Sequence, residues 1–198
     1  PRTMKRDNAE LCYTFICDPT WLTDYEVVTD ELSTQLGMAY SSAELDSALA
    51  DLLPDLARLQ DLALHANGSI RGKPAVTEAD LDWLHMRYDH VCQEIERQER
   101  DRLKNFVLPR GLPPVPELHQ ARATAKKAFR CLVRVEEEME GGKKRWKIPP
   151  EIPRFLNLIC NFCFVLAVLV NQRRGTVEPV FVSQSYQLKH QTPRKAHK

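Results

Sequence analysis

"FLNLICNFCFVLAVLVNQRR", residues 155–174, is the least polar stretch of the chain. From Phe155 to Val170 its only strongly polar side chains are Asn157 and Asn161. Three readings compete: a membrane span, a buried core helix, or one wall of an active site. A span needs roughly 20 apolar residues, and two amides near its middle would be costly in lipid. The run is too short and too interrupted for that. A helix apolar almost all round belongs instead at the centre of a helical protein.

The chain has 198 residues, 43% hydrophobic and 28% charged, with a formal net charge of +1. That length supports one domain with a real core, and the composition is that of a soluble globular chain rather than a disordered one. The near-neutral balance gives no general case for a nucleic-acid binder. Cysteines stand at 12, 17, 92, 131, 160 and 163, several of them beside apolar residues in helical patterns. Disulfide frameworks belong to smaller, loop-rich secreted chains, so reduced and mostly buried thiols in an intracellular compartment are expected. Cys160 and Cys163 form a C-x-x-C inside the apolar helix with no second ligand pair nearby, which favours small core side chains over a zinc or redox pair. No signal peptide is visible. The chain starts at Pro1 rather than Met, which is compatible with a leader removed or left out.

Working outward from the apolar stretch, the periodicity is helical. Residues 1–23 are irregular, with a basic start at Arg2, Lys5 and Arg6. Val27, Val28, Glu31, Leu32, Gln35 and Leu36 predict a first helix over about 24–39. A second is expected over about 42–65, with Ser42 as N-cap, Asn67-Gly68 as stop, a leucine face from Leu45 to Leu62 and a kink at Pro54. Thr77 opens a third helix with a T-x-x-D box closing at Asp80. It carries Leu81, Leu84, Tyr88, Val91, Cys92 and Ile95, and ends in "ERQERDRLK", a solvated run of alternating charge. The prolines at 109, 113, 114 and 116 forbid helix and hold a stiff, extended connection. A fourth helix is expected over about 117–140, stopped by Gly141-Gly142. The fifth is the opening stretch, ending near Arg174. The tail, 175–198, holds a short extended patch and a basic end. Five helices without alternating strands or repeats predict an all-α five-helix bundle over 24–174, flanked by the irregular segment 1–23 and the tail 175–198.

Asn157 and Asn161 share one face of the fifth helix, and buried amides need partners. The fourth helix offers Arg122, Lys126, Phe129, Arg130 and Val133 near one stripe, with Lys127 beside it. That basic stripe is either an anion site or a solvated face paired to carboxylates. Asp30 and Glu31 stand where the first helix should pack, and Arg122 is the natural partner for a buried acid there. His65, His85, His90 and His119 show no metal-ligand spacing, and no metal site is expected. No glycine-rich phosphate loop, Ser-His-Asp order or nucleophile elbow is present.

Four segments, "TDELSTQLGMA" (29–39), "LKNFVLPRG" (103–111), "ELHQARATAKKAFR" (117–130) and "PEIPRFLNLICNFCFVLAVLVN" (150–171), occur in the order and spacing of one family. The chain resembles the PduO-type ATP:cob(I)alamin (corrinoid) adenosyltransferases. The resemblance implies a five-helix bundle assembled as a trimer, with sites between subunits where the adenosyl group of ATP is transferred to the cobalt of cob(I)alamin. It matches Phe106 to the phenylalanine that helps displace the lower cobalt ligand, Asp30 and Arg122 to an acid and an arginine of the family, and Asn157 to the asparagine of "FLN".

The departures are as informative. The family's N-terminal loop reads like T-R-T-G-D-x-G. Here, in "PRTMKRDNAEL", Arg2 and Thr3 survive but both glycines and the acid between them are lost, and with them the backbone cradle for triphosphate. Paired arginines become Lys126 and Lys127, which keeps charge without bidentate geometry. A glutamate becomes Phe129, an arginine Leu158, an aspartate Asn161 and a later arginine Val168. Losing an arginine and an aspartate together can be neutral for stability where losing one would strand a charge. The expected function is therefore that of a non-catalytic relative, with no catalytic residues and no cofactor, serving as a structural or assembly subunit. Because the family is mitochondrial in eukaryotes, the resemblance suggests a mitochondrial complex, for instance the mitochondrial ribosome. Expected partners are protein subunits, as a homo- or mixed trimer, and RNA gripped by the loop from Lys143 to Lys147, with Trp146 as a stacking anchor, and by the tail from Lys189 to Lys198, with no membrane contact. The alternative is an active, divergent adenosyltransferase using ATP and cobalamin, with Arg122, Lys126, Lys127 and Arg130 at the nucleotide. A third reading is a corrinoid-binding regulator without transfer activity.

Overall fold

The structure, a computed structural model, describes residues 9–142 and 146–185. Its described residues hold five α-helices: α1 Trp21–Glu44, α2 Leu53–Gly68, α3 Glu78–Gln98, α4 Val115–Glu140 and α5 Glu151–Arg173. Short 3-10 turns cover Ser47–Leu52 and Arg102–Lys104.

Each helix end has a local cause. Thr20, extended, caps α1 by accepting from the Thr23 amide at 3.4 Å, which starts the helix ahead of the periodic stretch. α1 then runs on to Glu44, so Ser42 lies inside it and donates to Glu117 Oε1 at 3.0 Å instead of capping a second helix. The expected helix over 42–65 is thus divided. Asp46 accepts from the Ala48 amide at 3.1 Å and caps the 3-10 turn, and α2 begins only at Leu53. Pro54 falls in the first turn of α2, where a missing N–H costs nothing, so it starts a helix rather than kinking one. The Thr77 capping box is present in full, with Asp80 Oδ2 accepting from the Thr77 amide at 2.9 Å. α4 starts at Val115 with proline in its first turn, just ahead of the sequence expectation.

α1 packs between α2 and α4, α4 between α1 and α5, and α5 between α4 and α3. Arg87 forks onto Asp55 at 2.8–2.9 Å and so joins α3 back to α2. The most apolar helix is also the best covered: Phe155, Ile159, Phe162, Cys163, Leu166, Leu169 and Val170 are all buried. Each such leucine, isoleucine or phenylalanine contributes about 1.5–3 kcal/mol on burial. Among the described residues α5 is the one helix long and apolar enough to cross a membrane, with mean hydropathy 1.9, and 67% of that apolar window is buried inside the protein.

Past α5 the chain doubles back as a strap. The Thr176 amide donates to Asn171 O at 2.8 Å, Val180 forms an antiparallel bridge with Val107, and the Leu108 and Phe181 amides donate to Pro179 O (2.8 Å) and Phe106 O (2.7 Å). This is the short extended patch the tail predicted, laid against the proline-rich connection.

Candidate functional site on the α4–α5 face

His119, Arg122 and Lys126 recur along α4 at a spacing that keeps them on one side. The facing positions of α5 are Cys160 and Phe164. The Arg122 guanidinium stands 5.9 Å from the Phe164 ring centroid, and the His119 ring 6.4 Å from it. His119 is only 8% exposed, and burial, helped by the positive charge of Arg122, pushes its pKa down to about 4, so it is neutral at pH 7. Burial pushes the Cys160 and Cys163 thiols up; the Lys126 and Arg122 charges pull Cys160 the other way. Both thiols are buried and free, as core side chains would be. His119 Nδ1 and Arg122 Nε are buried without a hydrogen-bond partner among the described residues, a costly arrangement for a fold that gains nothing from it.

The basic stripe divides. Lys127 turns towards α1 and pairs with Glu31 at 3.1 Å, whereas Lys126 and Arg130 are exposed and make no ion pair among the described residues. Successive helical residues diverge by about 100°, which is enough to send Lys126 and Lys127 to different neighbours.

Three expectations are corrected here. Asn157 and Asn161 are not buried: both are exposed, and Asn157 Nδ2 donates back to Pro153 O at 3.1 Å. Among the described residues no helix covers their side of α5. The Asp30–Arg122 pair does not form within the chain either, since Asp30 is exposed and lies on the outer stripe of α1 with Val27 and Thr34. The inward stripe is Glu26, Thr29 and Ser33, and the buried acid is Glu26, only 4% exposed. Arg71 forks onto both Glu26 carboxylate oxygens at 2.9 Å. The Tyr13 hydroxyl donates to the same carboxylate and is itself pushed up to about 12, by burial first and by Glu26 second. Third, Trp146 is half-buried against the core rather than free to stack, while Lys147 is exposed. The basic residues 143–145 and 189–198, like Arg2 and Thr3, lie outside the described residues.

Phe106 stands apart from the α4 cations in sequence and is 56% exposed. It meets Phe181 of the strap edge-on, with centroids 5.6 Å apart. Beneath it is a buried polar node that sequence reading missed. Asn171, 1% exposed, donates to Arg110 O at 2.8 Å and to Glu178 Oε1 at 3.0 Å. Glu178, 5% exposed, accepts from Arg102 Nη2 at 2.8 Å, and Arg102 also donates to Thr176 O. Gly111 closes against this node: a Cβ there would run into Asn171 Oδ1 and lie 2.7 Å from Val115 Cγ1. The signal in the sequence was Asn171 itself, a polar residue directly after "VLAVLV". Among the described residues no group of three or more His, Cys, Asp or Glu is placed to hold a metal ion.

At the positions where the resemblance implied charge, the structure has packing. Phe129 and Leu158 are half-buried against the core, and Val168 is within it. What remains is an open face with Arg122, Lys126, Arg130, Asn157 and Asn161 on it, and an exposed Phe106 on the strapped loop.

The chain is 27% identical over 151 residues to the corrinoid adenosyltransferase of Bacillus subtilis (strain 168), covering 74% of this chain and 72% of that protein. In fold it is similar to a variant of the PduO-type ATP:corrinoid adenosyltransferase from Lactobacillus reuteri complexed with cobalamin and ATP, with a TM-score of 0.68, 19% identity and 83% and 88% of the two chains covered. A second variant of that protein, complexed with ATP, matches with a TM-score of 0.68, 20% identity and coverage of 83% and 89%. Residues 27–170, most of the bundle, match the cobalamin adenosyltransferase family. With its α1–α5 bundle and its matched segments in order, the chain belongs to the cobalamin adenosyltransferase family.

Proposed function

We propose that this chain is a non-catalytic cobalamin adenosyltransferase relative, serving as a structural or assembly subunit of a larger mitochondrial complex, with the mitochondrial ribosome as the favoured host. The observation that carries the reading is the fate of the replaced charges: Phe129 and Leu158 pack on the core and Val168 is buried in it. Apolar side chains cannot hold triphosphate, and restoring charge at the buried Val168 would cost several kcal/mol. The face they leave suits assembly. Asp30 and the Arg122 guanidinium have no ion-pair partner among the described residues, so they are available to pair between related bundles in a homo- or mixed trimer. The basic loop and tail add candidate contacts to a partner's RNA.

Sedimentation of the native, tagged protein from gently lysed cells tests this. Co-migration with a very large particle, stable at moderate salt, is the expected result. A free species of trimer size would sink the structural-subunit reading.

A second reading has its own support. Arg122, Lys126 and Arg130 keep positive charge on α4, Phe106 is exposed on its loop, and the Bacillus subtilis relative is a corrinoid adenosyltransferase. On this reading ATP and cobalamin are substrates. Lys126 and Arg130 would screen phosphate charge, His119 would stay neutral beside Arg122, and Phe106 would press on the corrinoid. Titration with ATP and with cob(II)alamin separates the readings: uptake of both favours the enzyme, whereas corrinoid uptake without ATP favours a binding or chaperone role.

A further inference from the structure

We propose that Asn171 and Glu178 are positioning residues for the Phe106 segment, acting through the strap rather than touching any ligand. The loop carrying Phe106 has no helix or sheet of its own between Lys104 and Val115. An extended, proline-bearing loop must be held from outside. Two ties hold it. Asn171 donates to Arg110 O at 2.8 Å and fixes the far end of the loop to α5. The strap, through Leu108 N to Pro179 O and Phe181 N to Phe106 O, fixes its middle and brings the Phe181 ring onto Phe106.

Glu178 joins the Asn171 tie to the strap. It precedes the bridging residues, is buried, accepts from Asn171 at 3.0 Å and receives Arg102 at 2.8 Å from the other side of the loop. The node therefore links α5, both ends of the loop and the strap in a single buried hydrogen-bond set. Asn171 Oδ1 and Arg102 Nε are left without a partner among the described residues, but the bonds the set does make join these segments in one geometry. Removing the Glu178 carboxylate would leave the buried Arg102 with only the exposed Glu99, at 3.1 Å, as counter-charge and would free the strap, so Phe106 would lose its register while the helical core stayed folded. What Phe106 meets rests on the second reading above; its placement by the node does not.

The test compares wild type, Glu178→Ala, Glu178→Gln and Asn171→Leu in the full chain, by amide hydrogen exchange and thermal unfolding. The Leu108 and Phe181 amides are expected to exchange at least about tenfold faster in Glu178→Ala. Amides in the middle of α4 and α5 should be unchanged, and Glu178→Gln should fall between wild type and Glu178→Ala. Asn171→Leu should expose the same two amides. Unchanged Leu108 and Phe181 exchange in a folded variant overturns the proposal. So does an equal loss of protection along α5, which would make the node a general prop. Titration with cob(II)alamin runs alongside: failure of wild type to bind it sinks the corrinoid reading, while hydrogen exchange still decides the node.

Discussion

The bundle away from the α4–α5 face and that face treat their charges differently. Away from it, Arg71, Arg87, Arg173 and Arg174 are all paired. Arg71 forks onto Glu26, and Arg87 onto Asp55. Arg173 bridges Asp51 at 2.7 Å and Glu94 at 2.9 Å, and Arg174 joins Asp46 at 2.7 Å to Pro113 O at 2.7 Å. On the α4 face Lys126 and Arg130 have no ion-pair partner among the described residues, and Arg122 meets only the Phe164 ring. Buried charge is tolerated when paired, so the first set is accounted for by the fold. The fold does not require the second set, and its exposed members, Lys126 and Arg130, are free to meet solvent or a partner.

The comparison breaks most visibly at Arg71. Arg71→Ala strands the buried Glu26 and is expected to cost about 3–5 kcal/mol in urea unfolding; a loss under about 1 kcal/mol would remove the distinction between the two sets. His119 sharpens it from the other side. Its folded pKa, about 4, lies below the unfolded value of about 6.5, so the unfolded chain binds the proton more readily. The neutral-histidine contribution is present above pH 6.5 and is lost as pH falls from 6.5 to 4, by roughly 1–3 kcal/mol. Thermal unfolding against pH should show that slope in wild type and a flatter one in His119→Gln. Gly111→Ala drives a methyl into Asn171 Oδ1 and Val115, and should cost about 1–3 kcal/mol in chemical denaturation. The smallest effect belongs to the open face: Lys126→Ala with Arg130→Ala should shift stability by no more than about 0.5 kcal/mol. The same pair should weaken whichever association the sedimentation and titration experiments detect.

The sequence made the bundle legible because periodicity and caps are local. The apolar run of α5 and the Thr77–Asp80 box could be read directly. Ser42 was misread because a serine among Ala39, Ala43 and Glu44 is as compatible with continuing a helix as with starting one, and its partner, Glu117, lies far along the chain. The expectation for Asp30 fails, and Glu26 is not singled out in its place, for a related reason. Both sit in α1, and only the packing of α2 and the turn after it, through Asn67 and Arg71, says which stripe faces in. The strap node was invisible because Arg102, Asn171 and Glu178 come from a turn, a helix end and a tail that no repeat or spacing connects. The apparent burial of Asn157 and Asn161 came from treating an apolar helix as covered on all sides.

The Trp21 amide donates to Glu138 Oε2 at 3.0 Å, tying the first turn of α1 to the last turn of α4 across 117 residues. At a synthesis rate of about 5–20 residues per second, α1 waits roughly 6–23 s for the helix that covers it. During that interval α1 and α2 can pair, but the side of α1 destined for α4 stays wet and apolar. Nascent chains of this protein therefore pass through an aggregation-prone stage set by helix order, and their yield should depend on holding factors that act before α4 is made.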